Sequence, residues 1–319
     1  MAHANISVFV PHEGCPNKCS FCNQNAITGK VTSDDVHNTV LKSNNKNAEI
    51  AFFGGSFTLI EREYMIDLLD AAQKEINNGN ATGIRFSTRP DGINDEVLTL
   101  LKKYSVKTIE LGAQSTNNYV LKENLRGHTF EDIVSASELI KKYGYDLGLQ
   151  MMVGLYKSDR EKDIKTAEDI INLKPECVRI YPTVVIKKTL LCHLYEKKLY
   201  KPLTVNEAAD ICAEILDMFL KNNINVIRLG LHEVEDFVAG PFHPAFGEIA
   251  ESRLMLKKAL ELFGNKPKGN YNITVNKSFV SKMIGQHRTN IEILRNMGYN
   301  CKVYSGEVLK YSLKICEDV

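Results

Sequence analysis

Three cysteines near the start of the chain, Cys15, Cys19 and Cys22, form the pattern C-x3-C-x2-C. An aromatic residue, Phe21, stands just before the last of them. Thiolates spaced in this way can all face one metal centre. A closed tetrahedral zinc site would need a fourth ligand, but the next cysteine along the chain is Cys177. Three thiolates instead suit a cubic 4Fe–4S cluster with one iron left open for another ligand.

Two other interpretations of these cysteines stay open. A zinc ion could recruit His12 or Glu13 as its fourth ligand, although zinc sites usually space their ligands differently. A disulfide with a spare thiol is less favoured, because no signal peptide or long apolar stretch accompanies the 8 cysteines, which indicates a cytoplasmic protein without a membrane partner. We expect the remaining cysteines to be buried packing residues. They are Cys177, Cys192, Cys212, Cys301 and Cys316.

Composition limits the class of protein without identifying it. At 319 residues the chain can hold one large α/β domain with a small appendage. An apolar fraction of 44% and a charged fraction of 25% are ordinary for a globular protein. The formal net charge of +1 gives no general attraction to nucleic acid. A nucleic-acid partner would therefore need a local basic surface.

Short apolar runs alternate with helical patterns, which predicts parallel βαβ units. The predicted strands are Ile6–Val10, Ile50–Phe53, Ile84–Ser87, Thr108–Leu111, Leu147–Val153, Val178–Tyr181 and Val226–Leu229. The helical patterns between them include Asp34–Lys42, Glu63–Asn77, Asp95–Tyr104, Thr129–Tyr143 and Glu161–Leu173. Because no G-x-G-x-x-G follows the first strand, we favour a barrel over an open doubly wound sheet. The predicted fold is α/β, a partial (β/α)6-type TIM barrel over residues 1–264, with a small α/β domain over residues 265–319.

Unusual polar and glycine residues follow the ends of separate predicted strands. In parallel barrels the chemistry lies at the carboxyl ends of the strands, and the cysteine loop follows the first strand directly. The residues at the ends of later strands, or within them, are Gly54, Gly55, Ser56, Ser87, Arg89, Glu110, Gln114 and Gln150. Their common position predicts an active site at this edge of the barrel.

The cysteine spacing, with its aromatic residue, resembles that of the radical S-adenosylmethionine (SAM) enzymes, in which SAM binds the open iron. Gly54 and Gly55 resemble the glycine-rich stretch that binds the SAM amino group, and the Ser56 hydroxyl could accept a bond from that ammonium. The resemblance implies that Arg89 or Arg126 holds the SAM carboxylate, since a guanidinium matches a carboxylate bidentately. Further side chains could hold the ribose hydroxyls or the methionine part. They are Ser87, Gln114 and Gln150.

Each of these residues could equally have a structural role. Glu110, which would be costly to bury unpaired, needs a cation such as an arginine or the SAM ammonium.

Several longer strings are similar to the catalytic subunit of the Elongator complex and, more distantly, to oxygen-independent coproporphyrinogen oxidases. They are Phe53-Gly-Gly-Ser-Phe-Thr58, Glu110-Leu-Gly-Ala-Gln-Ser115, Arg126-Gly-His128, Tyr181-Pro-Thr-Val-Val-Ile186 and Ala239-Gly-Pro-Phe-His-Pro-Ala-Phe246. The similarity covers the radical SAM part, and we expect no acetyltransferase domain in this chain. It implies an electron donor such as a flavodoxin or ferredoxin and makes a tRNA uridine the leading substrate, with a small molecule or a tetrapyrrole left open.

Residues 265–319 predict strand, helix, helix, strand, strand, and resemble the start of a KH module. A KH module clamps nucleic-acid backbone with a G-x-x-G loop; here Gly285 is present and Arg288 replaces the second glycine. With Lys277, Lys282 and His287 this loop forms a modest basic patch. The main alternative to a radical SAM enzyme is therefore an RNA-binding or regulatory protein with a structural metal site.

Overall fold

The structure consists of a large parallel sheet followed by a small mixed sheet. It is a computed structural model that describes residues 4–10, 15, 18–23, 29–264 and 266–318. The strands, numbered along the chain, are β1 Asn5–Val10, β2 Glu49–Gly54, β3 Ile84–Thr88, β4 Val106–Gln114, β5 Asp146–Val153, β6 Cys177–Pro182, β7 Val185–Ile186, β8 Asn225–Leu229, β9 Phe237–Ala239, β10 Gly269–Val275, β11 Tyr299–Ser305 and β12 Leu313–Glu317.

Seven strands form the large sheet in the order β1-β2-β3-β4-β5-β6-β8, and every neighbouring pair is parallel. The sheet curls into a half-barrel, which confirms the predicted partial barrel. Each predicted strand over residues 6–229 is present, with bounds that differ by a few residues. Because the strands are parallel, their carboxyl ends meet at one edge, where the prediction placed the active site.

Helices follow most of the strands and pack on the sheet. They are α1 Ser33–Ser43, α2 Arg62–Asn77, α3 Asp95–Leu101, α4 Asn118–Glu123, α5 Phe130–Lys142, α6 Arg160–Asn172, α7 Leu190–Glu196, α8 Val205–Lys221, α9 Phe246–Phe263, α10 Val280–Ile284 and α11 Thr289–Asn296. Thr32, Thr129 and Thr204 form capping boxes before α1, α5 and α8. In each box a threonine hydroxyl accepts from a first-turn N–H while an acidic side chain bonds back to the cap, which fixes where the helix begins.

The core of the barrel is almost entirely aliphatic and aromatic. Ile50, Ile84, Ile109 and Val178, on β2, β3, β4 and β6, have no exposed surface. Four of the five scattered cysteines are buried, as predicted, but Cys316 is exposed. It lies in β12, where successive side chains point to opposite faces of the sheet, and it falls on the face opposite to the half-buried Leu313 and Ile315.

Helix α9 links the barrel to the last part of the chain. Its first half, with Phe246 and Ala250, packs in the barrel core. Its second half, with Met255 and Phe263, packs against β10 and β11 in a second core. The division of the chain at residue 264 stays a prediction, and α9 contributes apolar side chains to both cores.

The C-terminal sheet has the order β11-β10-β12, with β10 parallel to β11 and antiparallel to β12. The predicted element order is present, but the last strand begins at Leu313 rather than Leu309. Leu309 is 81% exposed. Its apolar side chain lies in a turn, so the strand predicted from Leu309 begins four residues later.

Candidate active site

The cysteine loop follows β1 and is fastened to two other segments of the barrel edge. The Ser20 Oγ donates to the Asn124 side-chain oxygen at 2.7 Å, and the Ser20 N–H donates to the Asn124 carbonyl at 3.1 Å. The Ser20 carbonyl accepts from the Leu191 N–H at 2.8 Å. These bonds hold the middle of the loop against the segments after β4 and β6. As a result Cys19 is buried, while Cys15 and Cys22 are half-buried.

The three predicted thiols lie near enough to influence one another. Burial raises the pKa of Cys22 to about 12, and the neighbouring sulfurs of Cys19 and Cys15 add to this rise, while Arg126 opposes it. Adjacent sulfurs disfavour further negative charge, so a metal that binds them must displace protons.

A cluster and a single metal ion would use these thiols in different ways. Among the residues that the structure describes, no three His, Cys, Asp or Glu side chains converge on one ion. In a cubic cluster each thiolate binds a different iron, so its ligands need not meet at a point. The suggested zinc ligands His12 and Glu13 lie outside the described residues.

Arg126 connects the thiols to the barrel. One terminal nitrogen donates to Cys19 Sγ at 3.1 Å and the other to the Gly112 carbonyl at 2.5 Å. The guanidinium also lies 6.0 Å from the centre of the Phe21 ring. A guanidinium suits a sulfur that carries negative charge, as a cluster ligand does. We call Cys15, Cys19, Cys22, Ser56 and Arg126 the thiol cluster.

Arg89 supports Arg126 and is itself paired with a neighbouring carboxylate. It bonds Asp91 through two nitrogens at 2.8 and 3.0 Å and donates to the Arg126 carbonyl at 2.5 Å. The sequence suggested that Arg89 or Arg126 binds the SAM carboxylate. The structure places both arginines in a frame beneath the cysteine loop, and their role toward SAM stays a prediction.

His128 lies beside this arginine frame. Burial, together with the positive charges of Arg126 and Arg89, lowers its pKa to about 4. The imidazole is therefore neutral near pH 7, which avoids a third positive charge in the frame.

The Gly54-Gly55-Ser56 turn lies against the thiols, as the sequence predicted. β2 ends at Gly54 with φ of +114°, a conformation that favours glycine. The Gly55 N–H donates to the Val10 carbonyl at 3.2 Å, which holds the turn on the end of β1. The Ser56 Oγ is buried and lies 3.6 Å from Cys15 Sγ.

A second polar group lies in the barrel interior. Glu110 accepts from Arg179 through both oxygens, at 2.5 and 3.0 Å. Arg85 Nε lies 3.4 Å from the carboxylates of Glu110 and Glu49. Thus the cation expected beside Glu110 is a pair of arginines. We call Glu49, Arg85, Glu110 and Arg179 the ion-pair cluster.

The predicted polar residues of β3, β4 and β5 are brought together above the ion-pair cluster. Gln150 donates to Ser87 Oγ and to a Glu110 oxygen, both at 2.9 Å. Gln114, at the end of β4, has φ of +66°. Its side-chain oxygen is buried and has no hydrogen-bond partner in the described part of the chain. Such an atom normally has a partner, so Gln114 is suited to a polar ligand.

A cleft of about 630 Å³ opens beside these residues. It is lined by five residues that the sequence singled out as ligands of the cofactors: Phe21, Cys22, Gly54, Gln114 and Gln150. Apolar side chains such as Met152 and Val184 also line the cleft. Thiol, glycine turn and amides therefore face one space large enough for a small organic cofactor.

The basic residues predicted for nucleic-acid contact lie in the C-terminal sheet domain and do not line this cleft. Lys277, His287 and Arg288 are exposed. Lys282 pairs with Glu251 and lies over the Phe279 ring at 4.4 Å.

The G-x-x-G-like loop departs from ordinary backbone geometry. Gly285, His287 and Arg288 all have positive φ, at 78°, 49° and 63°. Arg288 therefore adopts the left-handed conformation that a glycine would take easily.

Sequence reasoning missed Asn124, Arg85 and Arg179 as parts of the site. Arg85 and Arg179 lie inside runs that are otherwise apolar, and an unexplained charge in a buried strand was the available signal. Asn124 had no such signal, because its two bonds to Ser20 join residues 104 apart in sequence.

Comparisons with known proteins cover most of the sequence that forms the barrel. The Radical SAM superfamily profile matches residues 9–170, and the Radical SAM C-terminal domain profile matches residues 175–256. A tRNA uridine(34) acetyltransferase of Methanocaldococcus jannaschii is 31% identical over 183 residues, which cover 51% of this chain and 34% of that protein. Elongator complex protein 3 of Saccharomyces cerevisiae is 28% identical over 188 residues, covering 53% and 34%. The chain thus matches about a third of the length of these relatives.

An uncharacterized protein of M. jannaschii is 27% identical over 235 residues and covers 72% of this chain and 71% of its own length. Among solved structures, Methanocaldococcus infernus Elp3 with an N-terminal deletion has a TM-score of 0.64 at 22% identity, covering 84% of this chain and 66% of that one. Escherichia coli coproporphyrinogen III oxidase has a TM-score of 0.50 at 16% identity, covering 69% and 52%. Both likenesses concern the fold. None of the described helices is long and apolar enough to span a membrane.

Proposed function

Because this chain belongs to the radical SAM superfamily, whose enzymes use a 4Fe–4S cluster and SAM, we propose that Cys15, Cys19 and Cys22 hold that cluster and that the adjoining cleft binds SAM. The observation that carries the proposal is the thiol cluster itself. Cys19 lies against Arg126, Cys15 lies beside Ser56, and Cys22 lines the cleft.

When bound there, the reduced cluster and SAM supply a 5′-deoxyadenosyl radical that abstracts hydrogen from the substrate. The residues of this chain bind and orient. Gly54 lets the backbone approach a ligand closely, and the free Gln114 oxygen accepts a hydrogen bond from it. The apolar wall at Met152 and Val184 excludes water from the reacting atoms.

The electron must come from outside the protein, and a flavodoxin or ferredoxin is the proposed donor. A cytoplasmic location suits such a partner.

For the substrate we propose a tRNA uridine. Two relatives support this choice: one is named for acetylating tRNA uridine(34), and the other is an Elongator subunit. The C-terminal domain offers a surface for the RNA, since Lys277 is exposed and Arg288, in the Gly285 loop, is exposed as well. Lys282 contributes less, because Glu251 already binds its ammonium group.

Anaerobic reconstitution with iron and sulfide tests the cofactor assignment. The wild type should turn brown and release 5′-deoxyadenosine from SAM when dithionite is added. Replacing Cys15, Cys19 and Cys22 together by Ala should abolish both properties, while Cys316→Ala, an exposed thiol in β12, should change neither. A full cluster in the triple variant would overturn the assignment. A colourless zinc protein without SAM cleavage would support the alternative of an RNA-binding module with a structural metal.

A second experiment tests the substrate. The reconstituted protein is incubated with SAM, reductant and bulk tRNA, and the nucleosides are analysed by mass spectrometry. A new uridine derivative that requires SAM supports the proposal. The double variant Lys277→Gln/Arg288→Gln should bind tRNA more weakly and with a shallower salt dependence, whereas Arg295→Gln, on the exposed side of α11, should not. An unchanged nucleoside profile would turn attention to a small molecule or a tetrapyrrole.

A further inference from the structure

A smaller cavity, of about 390 Å³, lies next to the main cleft in the barrel. The two spaces adjoin, since they share lining residues at Phe9, Gly54, Gln150 and Tyr181. The smaller cavity lies between the two ends of the curled sheet, since both β1 and β8 contribute to its wall.

Two arginines stand side by side in this cavity. Arg179 on β6 and Arg228 on β8 are register partners in the parallel pair, and both line the space. Like charges on neighbouring strands are unfavourable unless something compensates them. Glu110 compensates Arg179 through two hydrogen bonds.

Arg228 has no such compensation. Its Nε donates to the Gly230 carbonyl at 3.0 Å, and its two terminal nitrogens have neither a hydrogen bond nor an ion pair with the residues that the structure describes. The side chain is only half-exposed. Guanidinium groups in partly buried sites are usually paired with an anion.

The surroundings of Arg228 have a positive electrostatic character. Partial burial lowers the pKa of Arg228, the nearby phenol of Tyr181 opposes this shift, and the charge of Arg179 lowers the pKa further. The pKa of His232 is lowered by burial and by both arginines. Hydroxyl and amide groups that can donate complete the wall, among them Ser7, Ser87 and Asn5.

We propose that this cavity binds an oxyanion of the substrate, a phosphoryl or a carboxylate group, with Arg228 as its principal ligand. The proposal rests on the proposed function and deepens it, because it takes the adjoining cleft as the place where the substrate reacts. A bidentate contact from the two free nitrogens of Arg228 would anchor the substrate by its charged group. The remainder of the substrate would then extend past the shared lining residues toward the cysteine loop.

Isothermal titration of the reconstituted protein, without reductant, tests the proposal. Inorganic phosphate and acetate are titrated separately into the wild type and into Arg228→Gln, Arg228→Lys and Arg295→Gln. We expect Arg228→Gln to weaken binding at least about tenfold, since a hydrogen bond to a charged group is involved. Arg228→Lys should lie between, because it keeps the charge but not the bidentate geometry, and Arg295→Gln should equal the wild type.

Stronger binding of phosphate identifies a phosphoryl group, and stronger binding of acetate identifies a carboxylate. Both results support the site. Equal anion affinity in the wild type and Arg228→Gln, or no binding to the wild type, would overturn it. Loss of phosphate binding at saturating SAM would also overturn it, since the SAM carboxylate would then be the occupant.

Formation of 5′-deoxyadenosine without substrate separates this proposal from the previous one. If the wild type fails to cleave SAM but still binds phosphate through Arg228, the proposed function fails and the anion site stands.

Discussion

The two polar clusters of the barrel are built in opposite ways. In the ion-pair cluster two arginines meet two carboxylates, and Glu110 is bonded through both oxygens. In the thiol cluster Arg126 meets a cysteine sulfur and a carbonyl, and it has no carboxylate within the described ranges. Charge is balanced within the protein in one cluster and not in the other.

We interpret the ion-pair cluster as a group that stabilises the barrel and the thiol cluster as a group that binds a ligand. A buried ion pair that is complete needs nothing further, and removing one member leaves an uncompensated charge. An arginine that faces a thiol is satisfied fully only when the sulfur becomes negative, as it does on binding metal. We therefore expect variants of the two clusters to respond differently to the cofactor.

The largest effect on stability should come from Glu110→Gln. This change leaves Arg179 and Arg85 buried with one carboxylate fewer, and breaking such a pair typically costs about 3–5 kcal/mol. Urea unfolding measures the loss, which should be the same with and without the iron–sulfur cluster. The control is Glu96→Gln, whose exposed pair with Arg62 at 3.0 Å should contribute about 1 kcal/mol or less. A small loss for Glu110→Gln would show that the ion-pair cluster is not needed for folding.

Arg126→Gln should have the next largest effect. It removes the bond to Cys19 and weakens the bond to Gly112, and hydrogen bonds to charged groups are worth about 1.5–3 kcal/mol. The loss should be greater in the reconstituted protein than in the metal-free protein, because the sulfur is then charged. Arg126→Lys should recover part of it. Equal losses in both forms would contradict the contrast between the clusters.

His128, which lies beside the arginines at the thiol cluster, makes the free energy of unfolding depend on pH. Its pKa is about 4 in the folded protein against the ordinary 6.5, so between these values the unfolded chain binds a proton that the folded chain does not. Stability should fall as the pH drops from 6.5 toward 4, by up to about 1.4 kcal/mol per pH unit. His128→Gln should show a flatter curve over that interval in urea unfolding. Parallel curves would mean that His128 is accessible to protons when folded.

The smallest effect is expected for Ser56→Ala. The contact between Ser56 Oγ and Cys15 Sγ is long, at 3.6 Å, so its loss should cost less than about 1 kcal/mol. Iron content after reconstitution should stay at the wild-type level. A loss of iron comparable to that of Cys15→Ala would instead place Ser56 among the groups that hold the cluster.

Much of the fold could be predicted because it depends on local pattern. Apolar runs of strand length alternate with helical periodicity, and this alternation specifies parallel βαβ units wherever it occurs. The predicted positions of Gly54, Ser87, Glu110 and Gln150 at one edge followed from that topology. The start of β12 was misjudged, since apolar residues such as Leu309 can also lie in turns.

The partners within the site could not be predicted in the same way. Arg126 and Cys19 are 107 residues apart, and Arg179 and Glu110 are 69 apart. Strand register and the curl of the sheet decide which charged side chains meet. Neither can be predicted from a local segment of sequence.

The sequence alone determined that three thiols lie close together, because eight residues of chain cannot separate them far. It also determined that they follow a strand whose carboxyl end lies at the edge shared with the other strands. Only the tertiary structure decided which charges are balanced. It placed Glu110 between two arginines, set Arg126 against Cys19, and left Arg228 without a counter-ion among the residues that the structure describes. Pairing between distant segments is a property of the tertiary fold, since the curl of the sheet brings those side chains within bonding distance.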